Sequence, residues 1–160
     1  MLYFVFKYSF LIISLITIWM VINYSSNSVF INKIDSLLSY RISYGNYFYN
    51  TYHFSMLGQK IVTISNELAR MKNISPLVLD NLYLVLLIKY GILSFCIISC
   101  LFTYSFKSLF NKKNLFLILI FFSLSIFSFM ESTIIIIEIS PFILYFSCVI
   151  FENRKKEVLT

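Results

Sequence analysis

Four stretches of this chain are apolar almost without interruption, and nothing else restricts its fold as strongly. They are 4–23, FVFKYSFLIISLITIWMVIN; 82–104, LYLVLLIKYGILSFCIISCLFTY; 115–130, LFLILIFFSLSIFSFM; and 133–151, TIIIIEISPFILYFSCVIF. A helix needs about 20 residues to cross the hydrocarbon core of a bilayer. The first two runs meet that length, the third meets it with help from its flanks, and the fourth is interrupted by Glu138 and Pro141. The chain is 59% apolar and 12% charged over 160 residues, whereas soluble domains are usually about 25% charged. So large an apolar share in so short a chain leaves too little polar surface for a water-soluble enzyme. The expected fold class is all-α: a polytopic membrane protein with about four transmembrane helices and a long extracytoplasmic segment containing amphipathic helices.

Basic residues set the expected orientation, because Lys and Arg are favoured in cytoplasmic loops. The connector 105–114, SFKSLFNKKN, holds Lys107, Lys112 and Lys113 and no acid, and the tail holds Arg154, Lys155 and Lys156. With both inside, residues 1–23 form the first span, 24–81 lie outside, 82–151 form three more spans and 152–160 a cytoplasmic tail. Both termini are then cytoplasmic. The stretch NYSSNSVF after the first run offers no small-x-small cleavage site, which favours a retained span over a signal peptide. The net charge of +6 is scattered or beside apolar runs and implies no nucleic-acid partner. Cys96, Cys100 and Cys148 stand inside apolar runs without metal-ligand spacing, so no metal is expected.

Within the outer segment, Ile34, Leu37, Leu38 and Arg41 recur at the helical period. Asn32 is the expected cap, Asp35 falls in the first turn where an acid suits the helix dipole, and Gly45 ends or bends the helix. Tyr40, Tyr44, Tyr47, Phe48, Tyr49, Tyr52 and Phe54 then crowd together, a density that suits the headgroup layer. A second helical piece is expected over 61–71, IVTISNELARM, with Pro76 imposing an extended or turned approach to the next run. Such a segment is either a pair of amphipathic helices on the outer leaflet or a cover over a site. A cover requires Arg41 and His53 to face inward.

Ionisable side chains in or beside apolar runs pair, line a cavity or snorkel. Lys89 stands inside the second run, and Asp80 and Asn81 open it, where they can cap its free amides. Gly91 can serve as a notch for close approach by another helix. Glu131 closes the third run.

The run LDNLYLVLLIKYGI (79–92) resembles the late-span signature of the Wzy-type polysaccharide polymerases, LDN-x-Y-x-x-x-L-x-x-x-G. LLSYRISYG (37–45), FSMLGQKI (54–61) and FSFMES (127–132) are similar, in the same order, to that family's L-x-S-G-R segment, its x-x-L-F-G stretch and its acid-ended late span. The resemblance implies the C-terminal portion of a repeat-unit polymerase for exopolysaccharide, capsule or O-antigen, multi-pass in the cytoplasmic membrane of a bacterium. Such a protein transfers a glycan chain from undecaprenyl pyrophosphate to a lipid-linked acceptor sugar. Its implied partners are an undecaprenyl-pyrophosphate-linked oligosaccharide and either a missing N-terminal transmembrane portion or other polysaccharide assembly proteins. No cofactor is implied.

The family's outer-loop arginine handles substrate, and Arg41 is the residue that matches. A pyrophosphate leaving group calls for positive charge, which the planar guanidinium fork supplies in two-point form. Lys89 follows Arg41 in that role, with Arg70 and Lys60 behind. Tyr44 and Asn81 complete the candidate substrate-binding residues. His53, Asp80 and Glu131 are the candidate catalytic residues, as bases for the acceptor hydroxyl. The alternatives are a lipid-linked glycan ligase of the same superfamily and an inactive fragment or accessory membrane subunit, so enzymatic activity is left open.

Overall fold

The computed structural model describes residues 2–25, 28–73, 76–111 and 115–133, and among them the chain is all-α apart from one antiparallel bridge between Ile64 and Leu77. α1 (Leu2–Lys7) and α2 (Ser9–Ile22) are divided at Tyr8, and α3 (Val29–Leu37), α4 (Arg41–Tyr52) and α5 (Asn66–Lys72) follow. α6 (Leu82–Leu84) runs on as a π-helical segment, Val85–Tyr90; α7 (Ile92–Asn111) and α8 (Leu115–Phe127) come next. Side-chain caps explain several of these boundaries. The hydroxyls of Ser28 and Ser65 accept from the Ile31 and Leu68 amides, and Asn81 Oδ1 accepts from the Leu84 amide. Asn32, the expected cap, instead lies within α3. Gly45 lies within α4 and permits a close approach: a Cβ there would stand 2.6 Å from Leu84 Cδ1.

Residues 82–88 are buried without exception, so α6 and its π-helical continuation form the axle of the fold. One flank joins Phe10, Phe102, Phe106 and Phe121, and the other joins Val21, Ile31, Ile42 and Phe48. Phe10 stacks on Phe102 at 4.2 Å between centroids and meets Tyr83 edge-on at 4.8 Å. The Tyr83 hydroxyl donates to the Ser125 carbonyl at 2.5 Å, and the Leu82 amide donates to the Ser128 carbonyl at 2.9 Å. These two bonds dock the start of the axle on the end of α8.

This arrangement overturns the four-span architecture. Among the described residues, α7 alone is both long and apolar enough to cross a membrane. The first run is divided at Tyr8, leaving α2 with 14 residues, about 21 Å against a hydrocarbon core of about 30 Å. α8 has 13 residues. The second run breaks at Gly91, and α7 continues through the expected basic loop to Asn111, carrying Lys107 with it. A segment apolar on every face suits a membrane span and a buried centre equally well. Residues 82–88 take the second option, which composition alone does not distinguish. Lys112, Lys113, the fourth run from residue 134 and the basic tail lie outside the described residues.

The break at Gly91 is filled from a distance. The Ser55 and Met56 carbonyls accept from the Ile92 and Leu93 amides at 2.8 and 3.3 Å, supplying partners for the otherwise unpaired first amides of α7. The Gln59 amide donates to the Lys89 carbonyl at 3.0 Å. Gly58 and Gly91 both have φ of +92° and face each other across this contact. The expected notch at Gly91 therefore receives a loop.

Candidate functional site: the Arg41–Asp80 cleft

The turn between α3 and α4 places Arg41. Ser39 and Tyr40 take the left-handed conformation, with φ of 55° and 63°, and deliver Arg41 as the first residue of α4. Asp35, expected in the first turn of its own helix, lies buried near the end of α3 and caps α4 instead. Its Oδ1 accepts from the Ile42 and Ser43 amides at 2.8 and 3.2 Å.

The Arg41 guanidinium reaches two partners through one nitrogen: Nη1 donates to the Met130 carbonyl and lies 3.5 Å from Asp80 Oδ2. Nε is buried and has no hydrogen-bond partner among the described residues. Arg41, Tyr44, Asp80 and Asn81 line a cavity of about 130 Å³, with Ser39 and Pro76 on its rim. A second cavity of about 260 Å³ shares the wall Val78–Asp80 and is edged by Lys89, Tyr90 and Ser132. Asp80 thus stands between two cations, one in each cavity.

Burial raises the Asp80 pKa above its ordinary 3.8; the Arg41 charge pulls it back, and the Glu131 charge pushes it up further. A raised carboxyl pKa means that the ionised form is less favoured in the fold than in the open chain. Its stabilising contribution is complete below the ordinary carboxylate range and is lost as pH rises through the folded-state value. Asp80→Asn is therefore expected to leave acid stability unchanged and to raise stability at pH 7 by up to about 1 kcal/mol, a small figure because solvent screens a side chain so exposed. Denaturant titrations at the two pH values check this, and a parent chain more stable than the variant at pH 7 contradicts it.

Four of the candidate residues thus meet in one cavity. Lys89 is exposed at the edge of the other, its Nζ 5.3 Å from the centroid of the Tyr90 ring. Glu131 acts on Asp80 through charge. His53 lines neither cavity: it ends α4 with its side chain exposed, 5.7 Å from Tyr49 ring to ring, and Arg41 alone of that pair faces inward. Arg70 and Lys60 are also exposed. Asn81 caps α6 while Asp80, beside it, pairs with Arg41. The Met130 carbonyl that holds Arg41 was not foreseeable, since a backbone acceptor leaves no mark in side-chain chemistry.

No protein-family model, curated protein or solved structure matches this chain. With one candidate span among the described residues in place of four, the repeat-unit polymerase function falls, and with it the exopolysaccharide, capsule and O-antigen assignment and the multi-pass location in a bacterial cytoplasmic membrane.

Proposed function

We propose that the protein binds a compact anion that also carries a hydrogen-bond donor, the class of hydroxy acids and simple sugar or polyol phosphates. The observation that supports this reading is the incompletely used guanidinium of Arg41. Both of its contacts pass through Nη1, which leaves the Nη2 donors for a ligand in the cavity. Its buried Nε lacks a partner among the described residues, which costs about 1–3 kcal/mol and is poor economy for an arginine that only braces helices. Asp80 supplies the acceptor for the ligand's donor, and Lys89 adds positive potential from the far side.

Size narrows the class. At about 30 Å³ per water, the smaller cavity holds roughly four waters and the larger roughly eight, below the usual range of drug-sized sites. The lipid-borne diphosphate implied by the family resemblance enters this reading only through its anionic headgroup, without the transfer reaction.

Calorimetric titration of the full chain with inorganic phosphate and with sn-glycerol 3-phosphate tests the reading. The second probe is expected to bind more tightly, because its carbon-borne hydroxyls can reach Asp80 while the phosphate stays on Arg41, which inorganic phosphate cannot do. Arg41→Gln is expected to weaken both by about tenfold, and Asp80→Asn to narrow the difference between them. Affinity unchanged in Arg41→Gln would sink the proposal.

A further inference from the structure

α2, α7 and α8 bury hydroxyl side chains beside the core aromatics Phe10, Phe102, Phe106 and Phe121 and leave other large apolar side chains exposed. Ser14, Thr17, Ser105 and Ser125 are buried, whereas Leu15, Trp19, Ile97 and Phe116 are among the exposed side chains. The Ser14 and Thr17 hydroxyls donate to carbonyls of their own helix at 2.8 Å, so they need no water. An outward apolar face of this kind is what a helix in contact with lipid tails presents, and among the described residues α7 alone is long enough to cross a bilayer. α7 fits the same picture, with 33% of its apolar window buried where a core helix would be mostly covered.

A groove of about 490 Å³ runs along α7 against α1 and the start of α2. On α7 it extends from Phe95 to Lys107, roughly 18 Å at the helical rise. Its walls are mainly apolar and include no acid among the described residues, and Lys107 and Lys7 both line it. The Phe6 and Phe110 rings, 6.3 Å apart, bring the end of α1 to the last turn of α7, so the two cations gather at one end. Ser99, also in the wall, has a buried hydroxyl with no partner among the described residues.

From the length, the apolar walls and the cationic end, we infer that this groove holds one acyl chain of an anionic phospholipid, with the phosphate beside Lys7 and Lys107. A bilayer crossed by α7 places the headgroup layer at the end of that helix, where Lys107 stands four residues before Asn111. Charge complementarity there selects an anionic over a zwitterionic headgroup. The exposed Cys96 and Cys100, both in the groove, report its occupancy.

The test uses the full chain carrying Cys148→Ser, in neutral detergent with either phosphatidylglycerol or phosphatidylcholine added. Phosphatidylglycerol is expected to slow maleimide labelling of Cys96 and Cys100 about tenfold more than phosphatidylcholine does. The Lys7→Gln, Lys107→Gln pair should erase the difference, and Lys72→Gln, an exposed lysine elsewhere, should keep it. Native mass spectrometry should find phosphatidylglycerol retained by the parent and lost from Cys100→Trp, in which the indole fills the groove. Equal protection by the two lipids, indifference to the paired lysine change, retention by Cys100→Trp, or protection by a second copy of the chain without lipid would each overturn the inference.

Discussion

Gly91→Ala is expected to destabilise the fold by about 3 kcal/mol or more, lowering the melting temperature by roughly 6–12 °C for a chain of this size. Two costs add. At Gly91 the backbone has φ 92° and ψ 161°, a conformation essentially confined to glycine, worth about 1–3 kcal/mol of strain for any other residue. The new Cβ would also lie 2.5 Å from the Met56 carbonyl oxygen. That neighbour is main chain and cannot swing aside, so the loop must lift off. Lifting it frees the amides of Ile92 and Leu93 and the carbonyl of Lys89. Gly58→Ala should behave alike, since its Cβ would meet the Lys89 carbonyl oxygen at 2.5 Å.

The double variant should cost less than the sum, because both changes break one contact. Gly45→Ala supplies the contrast. Its closest neighbour is a terminal methyl of Leu84, which can rotate, and alanine favours the helix. Denaturant titration of the three variants is expected to rank Gly91→Ala and Gly58→Ala well below Gly45→Ala. A Gly91→Ala chain within about 1 kcal/mol of the parent would show that the loop does not hold the broken helix together.

That contact also marks where sequence reasoning stops. The helical character of the chain was legible from its apolar runs; Asp80 and Asn81 stood out as polar groups opening one of them, and Arg41 stood out through the family resemblance. Gly91 was legible as a notch. Its occupant was not, because Ser55–Gln59 lies more than thirty residues away and meets it only through main-chain groups that no side-chain pattern announces. The run 82–104 looks continuous for the same reason. Asp35 shows a different failure. The period placed it on a helix, but the structure begins that helix at Val29, so the acid falls near its end and serves the next helix. His53 lies among aromatics as expected, but the end of α4 turns it to the surface.

Asp35→Ala is expected to cost about 3–6 kcal/mol, from the loss of two bonds accepted by a buried carboxylate at about 1.5–3 kcal/mol each. Asp35 is only 1% exposed, so water cannot replace the acceptor for the Ile42 and Ser43 amides. The turn it supports is itself unfavourable. Ser39 and Tyr40 both hold positive φ without being glycine, at about 1–2 kcal/mol each, and such a conformation persists only where its surroundings impose it. Asp35→Asn keeps an acceptor oxygen and should lose less than half as much stability. Tyr40→Gly, which relieves part of the strain, should restore about 1 kcal/mol to either variant. Because Arg41 follows the strained pair directly, the same series separates fold from site. At temperatures where Asp35→Ala remains folded by circular dichroism, it should bind sn-glycerol 3-phosphate more weakly than Asp35→Asn does. If the two variants melt together, the carboxylate is not what caps α4. If they bind alike, the turn does not place Arg41.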